Sequence, residues 1–461
     1  MYRLCGRSTA LKSVLALASG SLLTYHVSDT RKTGLSLRVN SELTPAERQF
    51  STSSLFPPPS STSVKLWNIR NSYPAEPPSD ACTPSNAPWL LIDFRKNPEE
   101  YAHAVRSYCL EGMIQSDFDA HKCMVSGHGR EPIRGLTSER PIPPYELART
   151  QSRYLQIWAC GFYNATAASV YGQVWKNPNS PSWDRDVQFP EGSVVFKVLM
   201  TDANNQDLPT QRGSPTWSAM ISQTNPEQDY FPITGQRNNH SSDVRLLQID
   251  FAVRDARSPV GWVFGAFMYD GRKLESNPWY RTTVLGIQWG NDPRLTQERF
   301  ESGEKAKESW MNPVGEELRQ HLGGFRPSWG WNGRLNGPVD NFASACTSCH
   351  ATASRYGTMR KTPLRPTVDS AGKWRSGSAD EMTWFQNTPS GQPVEKGAVT
   401  ADYSLQLQIG FKNYEQWRKN SGETGAKSKL QDAVAAAVGM RRVEVPAPRL
   451  NHPAGSSTGV V

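Results

Sequence analysis

The sequence predicts an α+β protein in which a larger β-rich domain, antiparallel and sandwich-like, is followed by a small, mainly helical domain. Apolar residues make up only 37% of the 461 residues, and glycine (35) and proline (34) are frequent, which favours strands and long loops over a helical bundle. Segments with strand-like patterns recur at short spacing between about 190 and 290. A Gly/Trp/Pro-rich stretch, 323–341, is the candidate boundary between the two domains.

The strand predictions rest on alternation and on turn residues between the segments. In 244–253, for example, Leu247 and Ile249 alternate with Gln248 and Asp250. The predicted strands are 192–200, 244–253, 261–271 and 282–290. Their short spacing favours an antiparallel sandwich or an open barrel.

The helix predictions rest on capping residues and spacing. Residues 97–114 predict an amphipathic helix, because Asn97 suits the N-cap and Pro98 the first turn. Residues 291–323 predict a charged helical connector. Residues 402–420 are ambiguous, because their first half alternates like a strand while their second half has apolar residues at helical spacing.

Composition divides the chain into five parts. They are a targeting presequence (1–50), a Pro/Ser-rich linker (51–87), a β-rich domain of unknown function (88–330), a small, mainly helical domain (331–425), and a short helix with a disordered tail (426–461). The formal net charge is +8, and half of it lies in the first 50 residues. Because no basic face with interleaved aromatic residues is visible, the charge argues against nucleic-acid binding.

The N-terminal residues have the character of a targeting signal. No acidic residue precedes Asp29, and the apolar run 13–23 is too short to span a bilayer. A mitochondrial presequence is favoured, because the stretch RQFSTSS at 48–54 is typical of matrix processing sites. The alternative is a secretory signal with an A-x-A cleavage site at 16–18, which predicts a secreted or periplasmic protein. No transmembrane segment is predicted.

The strongest functional signal is the motif Cys346-Thr347-Ser348-Cys349-His350. C-x-x-C-H is the attachment pattern of haem c, in which each thiol adds to one haem vinyl group and the histidine binds the iron. The motif therefore predicts one covalent haem c on Cys346 and Cys349, with His350 as the proximal iron ligand. A zinc site, a thioredoxin-type redox pair and coincidence remain open alternatives.

The run VDNFASACTSCHATAS resembles the first helix and attachment site of class I-like c-type cytochromes. The resemblance covers roughly 333–420, under a quarter of the chain. It implies a helical wrap around one haem, a closing helix at 402–420, His350 as proximal ligand and usually a methionine on the other side of the iron. A methionine ligand raises the potential and suits electron transfer.

Met382 is the predicted distal iron ligand. It lies 32 residues after His350, whereas Met359 lies only 9 residues after it and Met440 lies 90 residues after it, beyond the small domain. Trp384 and Phe385 are placed to wall the haem. The alternative, in which Met382 is simply a core side chain, stays open.

The predicted function is that of a c-type cytochrome that transfers electrons by Fe(II)/Fe(III) cycling. The alternative is a haem enzyme or small-molecule sensor with an open iron site, in which the β-rich domain holds the substrate. Expected partners are a redox partner protein and a haem lyase, which places maturation on the intermembrane-space side of mitochondria. No catalytic residue is predicted. Pairing among the other cysteines stays undecided, and these are Cys82, Cys109, Cys123 and Cys160.

Overall fold

A computed structural model describes the part of the chain that carries the predicted site. The described residues are 73–84, 86–111, 125–126, 137–177, 180–183, 186–221, 240–355, 366–368, 374–376 and 381–420. The predicted presequence, most of the linker and the tail 426–461 therefore lie outside them, as does Met359. Among the helices in these ranges, none has the length and apolar character needed to cross a membrane.

The described residues are built on a nine-stranded antiparallel sheet. Its main path runs β1-β3-β4-β6-β7-β8-β9, with β2 beside β3 and β5 beside β6. The strands are β1 (Val125–Ser126), β2 (Thr137–Ser138), β3 (Ile157–Tyr163), β4 (Val194–Thr201), β5 (Thr216–Ile221), β6 (His240–Arg254), β7 (Trp262–Tyr269), β8 (Thr282–Gln288) and β9 (Ser309–Met311). The predicted α+β class with a β-rich region is confirmed. Helices cover this sheet. Among the described residues there is no second sheet of similar size to form a sandwich with it.

Seven α-helices and two small two-stranded sheets complete the described structure. The helices are α1 (Pro98–Leu110), α2 (Ala165–Val174), α3 (Gln297–Glu301), α4 (Pro313–Leu322), α5 (Cys346–Ala351), α6 (Glu381–Trp384) and α7 (Leu405–Asn420). The small sheets pair β10 (Ser354–Arg355) with β13 (Val399–Thr400) and β11 (Pro366–Val368) with β12 (Trp374–Ser376).

The helix α7 resolves the ambiguity of 402–420. Leu407, Phe411 and Tyr414 are buried at helical spacing. Two polar positions of the strand-like pattern, Gln406 and Gln408, are buried as well, and the Gln408 side chain donates to the main-chain carbonyls of Thr352 and Ser354. A polar residue in a sequence pattern is therefore not always a solvent-facing residue.

The prediction of a continuous helical connector over 291–323 is wrong in its middle. The chain forms α3, then the edge strand β9 paired with β8, and then α4. Gly303 has a φ of 102°, which ends the first helix, and the Asn312 side chain accepts from Val314 N at 3.0 Å to begin the next. The charged composition hid a three-residue strand.

The two faces of the sheet have different partners. Side chains of one face, including Phe196, Ile249 and Phe267, form a core with α1. Side chains of the opposite face, such as Phe264, pack with α2 and α7 and with the helix α5 that carries the C-x-x-C-H motif. The tryptophans of the β-region are core residues, as expected, and these are Trp262, Trp279 and Trp289.

The residues before the motif form turns. The prediction of a first cytochrome c-like helix in this stretch is therefore wrong. Helix begins only at Cys346. Gly337 and Pro338 lie in the preceding stretch, and a proline restricts the residue before it to extended backbone. The buried side chains of Trp329 and Leu335 pack in the same apolar cluster as sheet residues. The division into a β-rich domain (88–330) and a small cytochrome c-like domain (331–425) stays a prediction.

Candidate functional site

The motif helix α5 presents two faces with different roles. Thr347 and Ser348 face inward and are buried. The main-chain N–H of Thr347 donates to Gln288 Oε1 at 3.1 Å, and Ser348 Oγ donates to Asn291 Oδ1 at 2.8 Å. These bonds tie the two spacer residues of the motif to the end of β8 and the turn that follows it.

The other three motif residues share the opposite, half-buried face. Positions i, i+3 and i+4 of a helix lie side by side, and Cys346, Cys349 and His350 occupy them. The structure therefore brings the two thiols and the imidazole together, as the attachment of one haem requires.

The His350 ring is oriented by a main-chain carbonyl. Its Nδ1 lies 2.8 Å from Tyr403 O. Because a carbonyl oxygen only accepts, Nδ1 carries the proton, and in the neutral ring the lone pair lies on Nε2. Metal-ligating histidines commonly have this tautomer and this kind of partner. The Phe264 ring packs beside the imidazole, with ring centroids 5.0 Å apart.

An unusual turn holds the Tyr403 carbonyl in place. Asp402 and Tyr403 both have left-handed backbone, with φ of 45° and 67°. The buried Asp402 carboxylate accepts from Phe189 N at 2.7 Å, Gly391 N at 2.9 Å and Trp262 Nε1 at 3.2 Å. Three donors to one carboxylate compensate for the strain of two consecutive left-handed residues.

The motif thiols are protonated in the folded chain. Burial raises the pKa of Cys349 to about 12, and burial together with the Asp340 and Asp250 carboxylates raises the pKa of Cys346 well above its ordinary value. The sulfur of Cys349 lies 3.0 Å from Ser344 Oγ.

Among the described residues, the other cysteines and candidate metal ligands add no second metal site. Cys82, Cys109 and Cys160 are free thiols, and Cys123 lies outside the described residues. Within the described ranges, no three or more His, Cys, Asp or Glu side chains are grouped to hold a metal ion directly. A haem needs only one or two protein ligands, so the donor set of the motif face still fits it.

The predicted distal ligand lies in a segment close to the motif. Met382 is half-buried on α6 and packs with Trp384 against a cluster that includes Ala343, Ala345 and Phe385. Its neighbour Trp384 donates from Nε1 to Ser344 Oγ at 2.9 Å. The same hydroxyl contacts the Cys349 sulfur. The role of Met382 as an iron ligand stays a prediction.

Sequence reasoning missed two carboxylates beside the motif. Asp250 on β6 and Asp340 in the preceding turn are both half-buried. Gln248 Nε2 lies 2.7 Å and 2.8 Å from the two Asp250 oxygens and 3.5 Å from Asp340 Oδ2. An aspartate in the middle of an apolar strand was the available signal, and it was taken for a solvent-facing position.

Comparison with models of known protein families, with curated proteins and with solved structures gives no match for this chain. The case for a function therefore rests on the residues of the site and their geometry.

Proposed function

We propose that the chain is a c-type cytochrome that carries one covalent haem on Cys346 and Cys349, with His350 as the proximal iron ligand. The observation that carries the proposal is the shared half-buried face of these three side chains, with the His350 tautomer fixed by Tyr403 O. When bound, the haem would supply one-electron cycling between Fe(III) and Fe(II).

Each part of the surrounding chain has a role under this proposal. Gln288 and Asn291 hold Thr347 and Ser348 and so fix the rotation of the motif helix, which places both thiols on the same helix face as the imidazole. Tyr403 O orients the imidazole and makes Nε2 more basic as a ligand. Phe264 supplies an apolar wall that excludes water from one side of the ring.

Partners and compartment follow from the same chemistry. An electron carrier needs a redox partner protein, and thioether formation needs a haem lyase. We propose maturation on the intermembrane-space side of mitochondria, with a secreted or periplasmic location as the alternative.

A second candidate is a haem enzyme or sensor with an open iron site. The half-buried carboxylates of Asp250 and Asp340 favour it, because a simple electron carrier has no need of acid–base groups beside the motif. The distal ligand separates the two candidates. With Met382 on the iron, carbon monoxide binds slowly or not at all, and Met382→Ala opens the site to it. Rapid binding by the unaltered protein would favour the enzyme or sensor.

Co-expression of the full chain with a haem c maturation system tests the attachment. We expect haem staining to remain with the protein through denaturing gel electrophoresis. The double variant Cys346→Ala/Cys349→Ala should lose the stain completely, because both thioether bonds are removed. Cys82→Ala is the matched control, since Cys82 is an exposed thiol outside the motif, and it should retain the stain. Haem that is extracted from the unaltered protein by acidified acetone would refute covalent attachment.

A further inference from the structure

The two carboxylates beside the motif are brought together by a bulge in the sheet. The register between β4 and β6 shifts between Leu199 and Met200. The shift turns Gln248 and Asp250 to the same face of the sheet as the motif, where Asp250 lies opposite Lys197. Bulges of this kind commonly re-aim side chains at functional sites.

Asp340 reaches the same place from the turn that leads into the motif. The amide of Gln248 joins the two acids, because its nitrogen contacts both carboxylates and its oxygen accepts from Val339 N at 3.0 Å. One amide nitrogen has only two hydrogens, so it cannot satisfy two fully ionised carboxylates. Two carboxylates this close share a proton more readily than they both ionise.

The charges around the pair do not neutralise it completely. Lys197 faces it from β4, but its ammonium also pairs with Glu139 at 3.3 Å. Arg326 directs its guanidinium to main-chain carbonyls and to Glu146. The titratable and charged groups that face the pair are Lys197, Glu139, Arg140, Glu146, Arg326, Cys346 and Cys349. Burial and the mutual repulsion of the two acids raise the pKa of Asp250, and burial raises that of Asp340.

We infer that Asp250 and Asp340 form a proton-accepting pair that couples electron transfer at the motif to proton uptake. The inference rests on the proposed function, because it needs a redox centre attached at Cys346. Both side chains are half-buried, so each is partly accessible to solvent protons. Their charge already acts on the Cys346 sulfur, where the porphyrin edge would be attached.

The step balances in charge and atoms. In the oxidised protein the pair holds one proton and one negative charge. As one electron arrives from a one-electron donor protein, one proton from solvent forms an O–H bond on the remaining carboxylate, so the net charge of the region does not change. Oxidation by an acceptor protein releases the same proton. The partner class implied for the site is therefore a one-electron donor protein, with solvent as the source of the proton.

A first experiment uses the full chain before haem attachment. The rate of alkylation of Cys346 by iodoacetamide is measured against pH by mass spectrometry, with the exposed Cys82 as internal reference. Removing both acids should lower the thiol pKa, because the one negative charge of the pair is lost, and the thiolate fraction near neutral pH rises about tenfold for each pKa unit lost. We expect faster alkylation in Asp250→Asn/Asp340→Asn, which keeps both side-chain shapes, and little change in either single variant, in which the remaining acid keeps one negative charge.

A second experiment measures the reduction potential of the haem-loaded protein against pH. The potential should fall by about 59 mV per pH unit, the conversion of a tenfold change in proton concentration for one electron. This dependence of the potential on pH should appear above the ordinary Asp pKa and be lost in each single variant, Asp250→Asn and Asp340→Asn. Asp243→Asn is the matched control, because Asp243 lies on the same strand with 57% of its side chain exposed.

The outcomes separate the inference from the proposed function. Failure of haem to attach refutes the cytochrome proposal, and the alkylation profile then still decides whether the pair acts on Cys346. An alkylation profile unchanged in the double variant Asp250→Asn/Asp340→Asn overturns the inference. A flat potential in the unaltered protein, or an equal slope in all variants, also overturns it. Circular dichroism of each variant verifies that the fold is retained.

Discussion

The sheet and the motif segment, 326–350, are held together in different ways. Strands β4, β6 and β7 pair along their lengths and bury apolar side chains on both faces. The motif segment has turns in place of strands, and buried arginines donate to its carbonyls. Arg326 alone reaches the main-chain oxygens of Gly337, Pro338 and Asp340. Where turns leave buried carbonyls without partners, a buried guanidinium supplies the missing donors.

Holding turns together with buried arginines costs solvation free energy and depends on individual hydrogen bonds. Burial lowers the pKa of Arg326 to about 10, which reflects the work of removing a cation from water. Arg334 is also buried, and it ties the segment to the carbonyls of Asn291, Asp292 and Leu295. The sheet tolerates changes that keep apolar volume, whereas the motif segment depends on individual donors.

The largest effect is expected for Arg326→Met. The substitution keeps apolar bulk but leaves Glu146 with one cation fewer and several buried carbonyls without donors. We expect the free energy of unfolding, measured in urea, to fall by about 3–5 kcal/mol. Haem attachment should also fall at temperatures where the variant remains folded, because the turn before Cys346 loses its support.

Arg299→Met is the control for that experiment. Arg299 pairs with Glu304 at 2.6 Å, but its side chain is 49% exposed, so the loss should be below about 1 kcal/mol. A similar loss for both variants would remove the distinction between the two regions.

A somewhat smaller loss in the free energy of unfolding is expected for Ile249→Ala in the sheet, with no change in haem attachment. Ile249 is 1% exposed and packs in the core shared with α1. The cavity should cost about 2–5 kcal/mol, and the conservative Ile249→Val about 0.5–1.5 kcal/mol. Urea unfolding gives both values. Haem attachment in Ile249→Ala should match the unaltered protein wherever the variant is folded, and a selective loss of attachment would contradict the comparison.

Among Arg326→Met, Ile249→Ala and Asp402→Asn, the smallest loss of stability is expected for Asp402→Asn. Asparagine tolerates the left-handed backbone of this position, but its amide group cannot accept from both Phe189 N and the donors on the other oxygen. We expect a loss of about 1–3 kcal/mol in thermal or urea unfolding. The reduction potential of the loaded protein should shift as well, because Tyr403 O no longer holds His350 as firmly. An unchanged potential would mean that the turn has only a structural role.

The sequence was informative where the packing is local and periodic. The predicted strand 244–253 lies within β6, 192–200 overlaps β4, and the helix expected from Asn97 begins at Pro98. Alternation, turn residues and capping act between near neighbours, so they can be read directly from the chain. The motif itself was visible for the same reason, since its three residues are adjacent.

The parts that sequence reasoning missed depend on distant partners. Arg326 is buried because Glu146, 180 residues away, compensates its charge. Asp250 and Asp340 meet only through the fold, so neither local sequence shows that the two acids are neighbours. The helix expected before the motif came from a resemblance, and the Gly337-Pro338 pair argued against it. Cytochrome-like function remains a proposal.

The anchoring of the motif helix has a consequence for biogenesis. The helix is fixed to Gln288, 59 residues earlier, and to Tyr403, 53 residues later, so the site assembles only after long stretches of chain have come together. Until then the thiols are solvated, have ordinary acidity and are better nucleophiles than in the folded protein. Attachment and folding therefore compete in time. Under the proposed function, a newly translocated chain that folds too quickly shields its own cysteines, and slow closure of this long-range site favours maturation.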